Sequence, residues 1–480
     1  MSTKKFVSLA LAIVLGLIAW IMPPETIGIP DLTVVEQRVI SIFIFAAIMW
    51  VTEVVPIWTT SVLIMVLMLV TVSNNSLWFM RTGSEFQELG TLIRYQNIMA
   101  TFADPVIMLF LGGFILAIGA TKCGLDVNLA RVLLKPFGTR SEVVMLGFII
   151  VTALFSMFMS NTATAAMMLA ILAPVLRVLP VDGKGRVGLA LCIPVAANVG
   201  GMGTPIGTPP NAIALSYLNN PDGLNMNITF GDWVMVMTPY VVVLLAISWM
   251  LLIRIFPFKQ KHVEIKIPGT FRTDTKAMIV YVTFALTVLL WVTDRMTGLN
   301  ANIVALIPFA VFSITGIIDT DDLKQINWDV LWLVAGGFAL GVGLHDTGLA
   351  EHIIRSIPFH SWPPVIMIIG SGLLCCLMST FMSNTATAAL LIPILAVAGR
   401  GMGPLLDQYG GICTLLVGVA MSASLAMALP ISTPPNALSH ATGMIKQAEM
   451  ARIGILVGVI GIGLAYAMLI FLGETGLFGA

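Results

Sequence analysis

The nonapeptide FMSNTATAA stands at residues 158–166 and again, without a mismatch, at residues 381–389. Both copies are small and polar, and both interrupt long apolar stretches, at 141–178 and 362–399. Their surroundings decide the fold class. Of the 480 residues, 58% are hydrophobic and 10% are charged. Soluble domains carry about 25% charged residues, so this chain could not cover a water-facing surface. Apolar runs of about 17–25 residues recur along its length, each able to cross a bilayer as a helix. The runs are continuous rather than alternating, which selects helices over a barrel. An all-α polytopic membrane protein is expected.

Eleven spans are expected, at 6–22, 36–53, 55–73, 105–121, 186–219, 232–254, 277–294, 299–317, 327–344, 411–445 and 452–472. Those at 186–219 and 411–445 are expected to be broken. The two stretches that hold the nonapeptide are each long enough for two short helices with a turn between them. They read as re-entrant hairpins that enter and leave the membrane on one side.

Lys and Arg favour the cytoplasmic face. They concentrate in 122–140 and 254–276, while 217–232 has none. This places the N-terminus in the cytoplasm and the C-terminus outside, in a bacterial-type inner membrane. The acidic segment 319–329 departs from the pattern. Lys4 and Lys5 followed by an apolar run resemble a signal peptide, but no AxA-like cleavage site follows, so a retained first helix is expected. The net charge of zero argues against a nucleic-acid partner. Five cysteines, at 123, 192, 375, 376 and 413, lie in or beside apolar runs and read as small buried hydrophobes.

The nonapeptide belongs to a longer repeat. Gly112-Gly113-Phe114 matches Gly336-Gly337-Phe338, and Gly124-Leu125 matches Gly348-Leu349. Thr208-Pro209-Pro210-Asn211-Ala212 matches Thr433-Pro434-Pro435-Asn436-Ala437. Trp50-Val51-Thr52-Glu53 matches Trp291-Val292-Thr293-Asp294. The expected organisation is an N-terminal helix outside the repeat (1–35), a first repeat (36–255), a cytoplasmic linker (256–276) and a second repeat (277–480). Each repeat has five spans, and an odd number inverts the second copy in the membrane. Inverted repeats with broken helices mark secondary transporters, whose sites lie where the repeats meet. Two similar hairpin tips would then wall one site.

Ser160-Asn161-Thr162 and Ser383-Asn384-Thr385 occupy those tips. Their hydroxyls and amides donate and accept without net charge. Ser and Asn also cap helices, and the free N–H groups of a helix start attract anions. Asn and Ser oxygens with backbone carbonyls suit a hard cation such as Na⁺. Such residues often serve only as glue between membrane helices. An identical pair of nonapeptides at two helix breaks weighs against that. In the TPPN stretches, proline removes a backbone N–H, so nearby carbonyls lose their helical partner, and a bound ion, water or substrate can take its place. Neither tip and neither TPPN break contains Lys, Arg, Asp, Glu or His. Proton coupling would need a titratable group inside the membrane. The nearest, Glu53 and Asp294, sit at span ends and read as interfacial structural residues. Helix N-termini and bound cations must then supply the positive potential for an anion.

The doubled SNT motifs, the doubled TPPN breaks and WVTEVVP at 50–56 resemble the divalent anion/sodium symporter family, whose INDY-type members carry dicarboxylates. The resemblance covers the chain after the first helix. It implies a homodimer, an elevator mechanism, two or more Na⁺ sites and uptake of succinate, fumarate or malate. By motif position it places Ser156, Ser160, Asn161 and Gly207 around one Na⁺, and Ser379, Asn384 and Ser432 around another. Position 432 is Ser where Gly or small apolar residues are also common. The dicarboxylate would touch Asn161, Thr162, Thr208, Asn384, Thr385, Thr433 and Pro434. The alternative within the family is a sodium-independent exchanger of di- or tricarboxylates. No enzymatic activity is expected: a hydrolase built on Ser160 or Ser383 would lack a His or Lys base within either motif. A channel is compatible with doubled hairpins, but no ring of charges suggests a filter.

Overall fold

The computed structural model describes residues 3–475 apart from 30, 84–86, 181–182, 221–222 and 264–271. Residues 264–271 of the expected 256–276 linker therefore lie outside the described residues. The described residues form helices, and no strand longer than an isolated bridge occurs among them. The principal helices of the first half are α1 (Thr3–Ile21), α2 (Val34–Thr52), α3 (Ile57–Thr71), α4 (Pro105–Lys122) and α5 (Leu125–Leu134). They continue as α6 (Ser141–Ser156), α7 (Asn161–Val178), α8 (Lys184–Gly201), α9 (Pro209–Leu218) and α10 (Phe230–Ile255). The second half holds α11 (Thr275–Val292), α12 (Leu306–Ile314), α13 (Trp328–Asp346), α14 (Leu349–Ser356) and α15 (Ser371–Phe381). It closes with α16 (Asn384–Met402), α17 (Gly411–Leu425), α18 (Pro434–Ala441) and α19 (Gln447–Thr475).

Among the described residues, seven helical segments are long and apolar enough to cross a membrane by length and composition. Several other expected spans are shorter or divided. The one expected at 299–317 is split into Ala301–Val304 and α12, with Ala305 between them. Where the sequence suggested a hairpin, α6–α7 and α15–α16 each form a helix–turn–helix. Where it suggested a broken helix, α8–α9 and α17–α18 each consist of two pieces.

Local chemistry sets the starts. Thr33 and Glu36 form a capping box on α2, and Thr229 and Asp232 form one on α10. Asp104 caps α4 immediately before Pro105. α1 packs along α2 and is fastened by Gln37, whose amide nitrogen donates to the carbonyls of Ala19, Trp20 and Met22 at 2.6–3.1 Å. This supplies partners to carbonyls that a helix end otherwise leaves bare.

The repeat seen in sequence has a structural counterpart. A Cβ on Gly112 of α4 would stand 2.0 Å from the Ala305 carbonyl oxygen, and one on Gly336 of α13 would stand 2.4 Å from Ser61 Cβ of α3. Each glycine thus seats a helix from the opposite half at backbone range. The acidic segment that departs from the positive-inside pattern is also explained. Asp319 caps the short helix Thr320–Leu323, and Lys122 pairs with both Asp319, at 3.0 Å, and Asp322. That hydrogen bond from Lys122 holds Asp319 below the usual carboxylate range. Asp294 is buried and accepts from the backbone N–H groups of Phe230 (2.8 Å) and Gly231 (3.4 Å). It caps α10 of the other half, which agrees with a structural role. All five cysteines are free, and all but the half-buried Cys376 are buried.

Candidate functional site

The two hairpin turns carry the same polar construction. In the first, Ser156 Oγ stands 2.6 Å from the Asn161 side-chain oxygen and 2.8 Å from the Ala197 carbonyl oxygen. In the second, Ser379 Oγ stands 2.7 Å from Asn384 Oδ1 and 3.0 Å from the Ala423 carbonyl oxygen. A hydroxyl has one proton and cannot donate to both acceptors at once. The first turn resolves this by an amide rotation. Turned over, the Asn161 amide nitrogen donates to Ser156 Oγ (2.6 Å), Gly207 O (3.1 Å) and Ala197 O (3.3 Å). In the opposite orientation four oxygens from Ser156, Asn161, Ala197 and Gly207 face one another. Oxygens in that arrangement repel unless a hard cation lies among them, and an all-oxygen neutral set is what Na⁺ takes. The residues fit the ion.

Glycines make the cradle possible. A Cβ on Gly201 would stand 2.6 Å from Asn161 Oδ1, and one on Gly207 would stand 2.4 Å from the Gly201 carbonyl oxygen. Among the described residues no cluster of His, Cys, Asp and Glu could hold a metal. Any cation here is therefore bound by neutral oxygens alone.

The breaks of α8–α9 and α17–α18 are laced from within. An ion, water or substrate can partner carbonyls freed at a break. On the approach to each break the TPPN asparagine serves several carbonyls itself. Asn211 Nδ2 donates to Thr204 O (2.9 Å), Gly201 O (3.2 Å) and Met202 O (3.4 Å). Asn436 Nδ2 donates to Met427 O (2.8 Å) and Leu429 O (3.0 Å). A short polar side chain just past the prolines reaches back over the turn, which an external ligand need not do.

The remaining expected residues are dispersed around these turns. Ser160 caps α7, accepting from Ala163 N at 3.3 Å, so its hydroxyl is turned to the helix end. Thr162 is exposed, whereas Thr385 is buried. Thr208 and Thr433 are both buried. Thr433 Oγ1 caps α18 by accepting from Asn436 N, and Thr208 makes no such cap. Pro434 opens α18 and is exposed. Ser432 Oγ donates to Thr380 O at 2.9 Å and accepts from Leu429 N at 3.1 Å. Its hydroxyl is committed to the turn, which leaves its backbone carbonyl as the positional counterpart of Gly207 O.

The halves cross at this level. α9 packs on α16 and α17, while α18 packs on α7 and α8. Each TPPN helix thus lies beside the SNT helix of the other repeat. The N-terminal ends of α7, α9, α16 and α18 each bring partial positive charge to a turn whose SNT or TPPN motif has no basic side chain. A cavity of about 1090 Å³ lies elsewhere. It is bounded by Asp104, Tyr217, Asp294, His345 and Arg400 among others, and none of the expected site residues lines it. It reaches Ala212 of α9 and Pro393 of α16 and stops short of the tips. A small pocket borders Ser160, walled by Phe110, Phe114 and Ile206.

Sequence reasoning missed Asn198, Thr204 and the carbonyls of Ala197 and Ala423. Carbonyls leave no trace in a sequence. Asn198 does: it is the lone hydrogen-bonding side chain, cysteine apart, between 188 and 203.

Paired helix breaks lined by neutral oxygens, in a chain of apolar helices, define a membrane carrier of small ions and solutes. The family model described as the sodium:sulfate symporter transmembrane region matches residues 3–475, and the chain belongs to that family. It is a membrane transporter and not an enzyme. It is 30% identical over 460 residues to the sodium-dependent dicarboxylate transporter SdcS of Staphylococcus aureus strain USA300, covering 88% of this chain and 83% of that one. The SdcS of strain NCTC 8325 matches to the same extent. Among solved structures, the YdaH transporter of Alcanivorax borkumensis aligns with a TM-score of 0.57 at 12% identity, over 88% of this chain and 99% of its own. MtrF of Neisseria gonorrhoeae aligns with a TM-score of 0.51 at 12% identity, over 87% of this chain and 95% of its own. At that identity these two show the fold alone.

Proposed function

We propose that the protein is a sodium-coupled carrier of C4-dicarboxylates such as succinate, fumarate and malate. The observation that carries this is the doubled Ser–Asn–carbonyl cradle, Ser156/Asn161/Ala197 and Ser379/Asn384/Ala423, built at two helix starts without a charged side chain. Such a site cannot neutralise a dianion by itself, so anion and cation binding depend on each other. The similarity to SdcS supports both the sodium and the dicarboxylate.

In this reading Asn161, Thr162, Thr208, Asn384, Thr385, Thr433 and Pro434 face the dicarboxylate. Ser156, Ser160, Asn161 and Gly207 hold one Na⁺, and Ser379, Asn384 and the Ser432 backbone hold a second. Eleven spans, two re-entrant hairpins and inverted five-span repeats organise the chain, with a cytoplasmic N-terminus in a bacterial-type inner membrane. The hairpins and broken helices move together as an elevator against a homodimeric scaffold.

Uptake of labelled succinate into empty proteoliposomes tests the assignment. An inward Na⁺ gradient should drive accumulation without internal substrate. Uptake that needs internal dicarboxylate and ignores Na⁺ would establish the sodium-independent exchanger instead.

A further inference from the structure

Asn198 follows Ala197 on α8 and is 1% exposed. Its Nδ2 lies 3.2 Å from Thr433 Oγ1 and 3.4 Å from Asn436 Oδ1. The orientation is forced from the far side. Asn436 spends its own amide nitrogen on the Met427 and Leu429 carbonyls, so its oxygen faces Asn198 and requires a donor there. Asn198 Oδ1 is left buried without a hydrogen-bond partner. The adjacent carbonyl, that of Ala197, belongs to the first cradle and accepts from Ser156. Two consecutive residues of α8 therefore touch the first-repeat cradle and the second-repeat TPPN turn.

The second repeat has no equivalent. Ala423 is followed by Ser424, whose hydroxyl donates to Ala420 O of its own helix at 3.3 Å. Correspondingly, Asn211 Oδ1 is buried without a hydrogen-bond partner, and Thr208 makes no cap. The cross-repeat tie exists in one direction only.

We propose that Asn198 is a positioning residue that couples the first cation cradle to the Thr433 wall of the substrate site. A cation that engages the Ala197 carbonyl fixes the backbone that carries Asn198. Asn198 then holds Thr433 Oγ1 and the Asn436 amide in the arrangement that receives substrate. This rests on the proposed sodium-coupled function.

The test is a linkage measurement on full-length protein in detergent. The Na⁺ concentration that gives half of the maximal thermal stabilisation is measured with and without saturating succinate. The ratio is the coupling factor, expected to be about 5–150 in the unaltered protein. Asn198→Ala should lower that factor about fivefold or more, while Na⁺ binding without succinate stays within about twofold. A merely structural asparagine would lower the melting temperature and leave the factor unchanged, and that result overturns the proposal. Should Asn198→Ala fail to fold, Asn198→Ser, whose hydroxyl is too short to reach Thr433, carries the same expectation. If the unaltered protein responds to neither Na⁺ nor succinate, the proposed function itself falls, and this inference with it.

Discussion

The first break carries Thr204 and Gly207, and the corresponding positions of the second carry Leu429 and Ser432. Thr204 Oγ1 donates to the Met157 carbonyl of the first hairpin and accepts from Gly207 N at 3.0 Å. Ser432 Oγ donates to the Thr380 carbonyl of the second hairpin and accepts from Leu429 N at 3.1 Å. The same tie between break and hairpin is made from opposite ends of one short turn. What the repeats share is a requirement for one hydroxyl across the turn, and either end can supply it. The serine at 432 therefore compensates for the leucine at 429.

This comparison can be broken most forcefully at the part that did not move. Asn161→Ala and Asn384→Ala each remove an amide that both cradles share, and each should reduce Na⁺-driven succinate uptake by about tenfold or more, the equivalent of about 1.4 kcal/mol. Both variants should still reach the membrane folded. Normal uptake by the pair would show that the site lies elsewhere.

The next effect falls on stability. Asn211→Leu leaves the buried Gly201 carbonyl without its amide partner, and Asn436→Leu leaves the Met427 carbonyl and one proton of the Asn198 amide without theirs. At about 1–3 kcal/mol for each unpaired group, both should melt well below the unaltered protein in detergent. A melting temperature within error of wild type for either variant would mean that the break is held by other contacts.

The smallest effect is the most diagnostic of the swap. Ser432→Gly alone should lower stability by about 1–3 kcal/mol, because the Thr380 carbonyl loses its donor. Adding Leu429→Thr rebuilds the first repeat's arrangement in the second and should recover most of that loss. No recovery in the double variant would refute the equivalence of the two ends.

Much of this architecture was legible in the residues. Continuous apolar runs gave the helices, because a backbone in lipid must satisfy itself. The nonapeptide and the TPPN prolines marked the four breaks, because polar caps and missing N–H groups end helices wherever they occur. Other features were not legible. The role of Asn211 as a staple depends on a turn that folds back seven residues to Thr204, and spacing alone does not show that distance. Ala197 and Ala423 contribute carbonyls, which every residue has. Asp319 looked like a violation of a charge rule until Lys122, almost two hundred positions earlier, was seen beside it. The division of the 299–317 span at Ala305 coincides with the backbone approach of Gly112, a tertiary demand that local propensity does not encode.

The crossing of the halves bears on how such a molecule can be assembled. Because α9 settles on α16 and α17, and α18 on α7 and α8, each half completes the interior of its twin. Asp294 also finishes a helix that begins in the other half. A chain cut to half length would present bare helix faces to lipid and leave the Phe230 and Gly231 N–H groups without their acceptor. Obligate partners of this kind have no stable separate form. Two fragments made side by side should therefore accumulate only as an interwoven pair, and either one synthesised alone should be degraded.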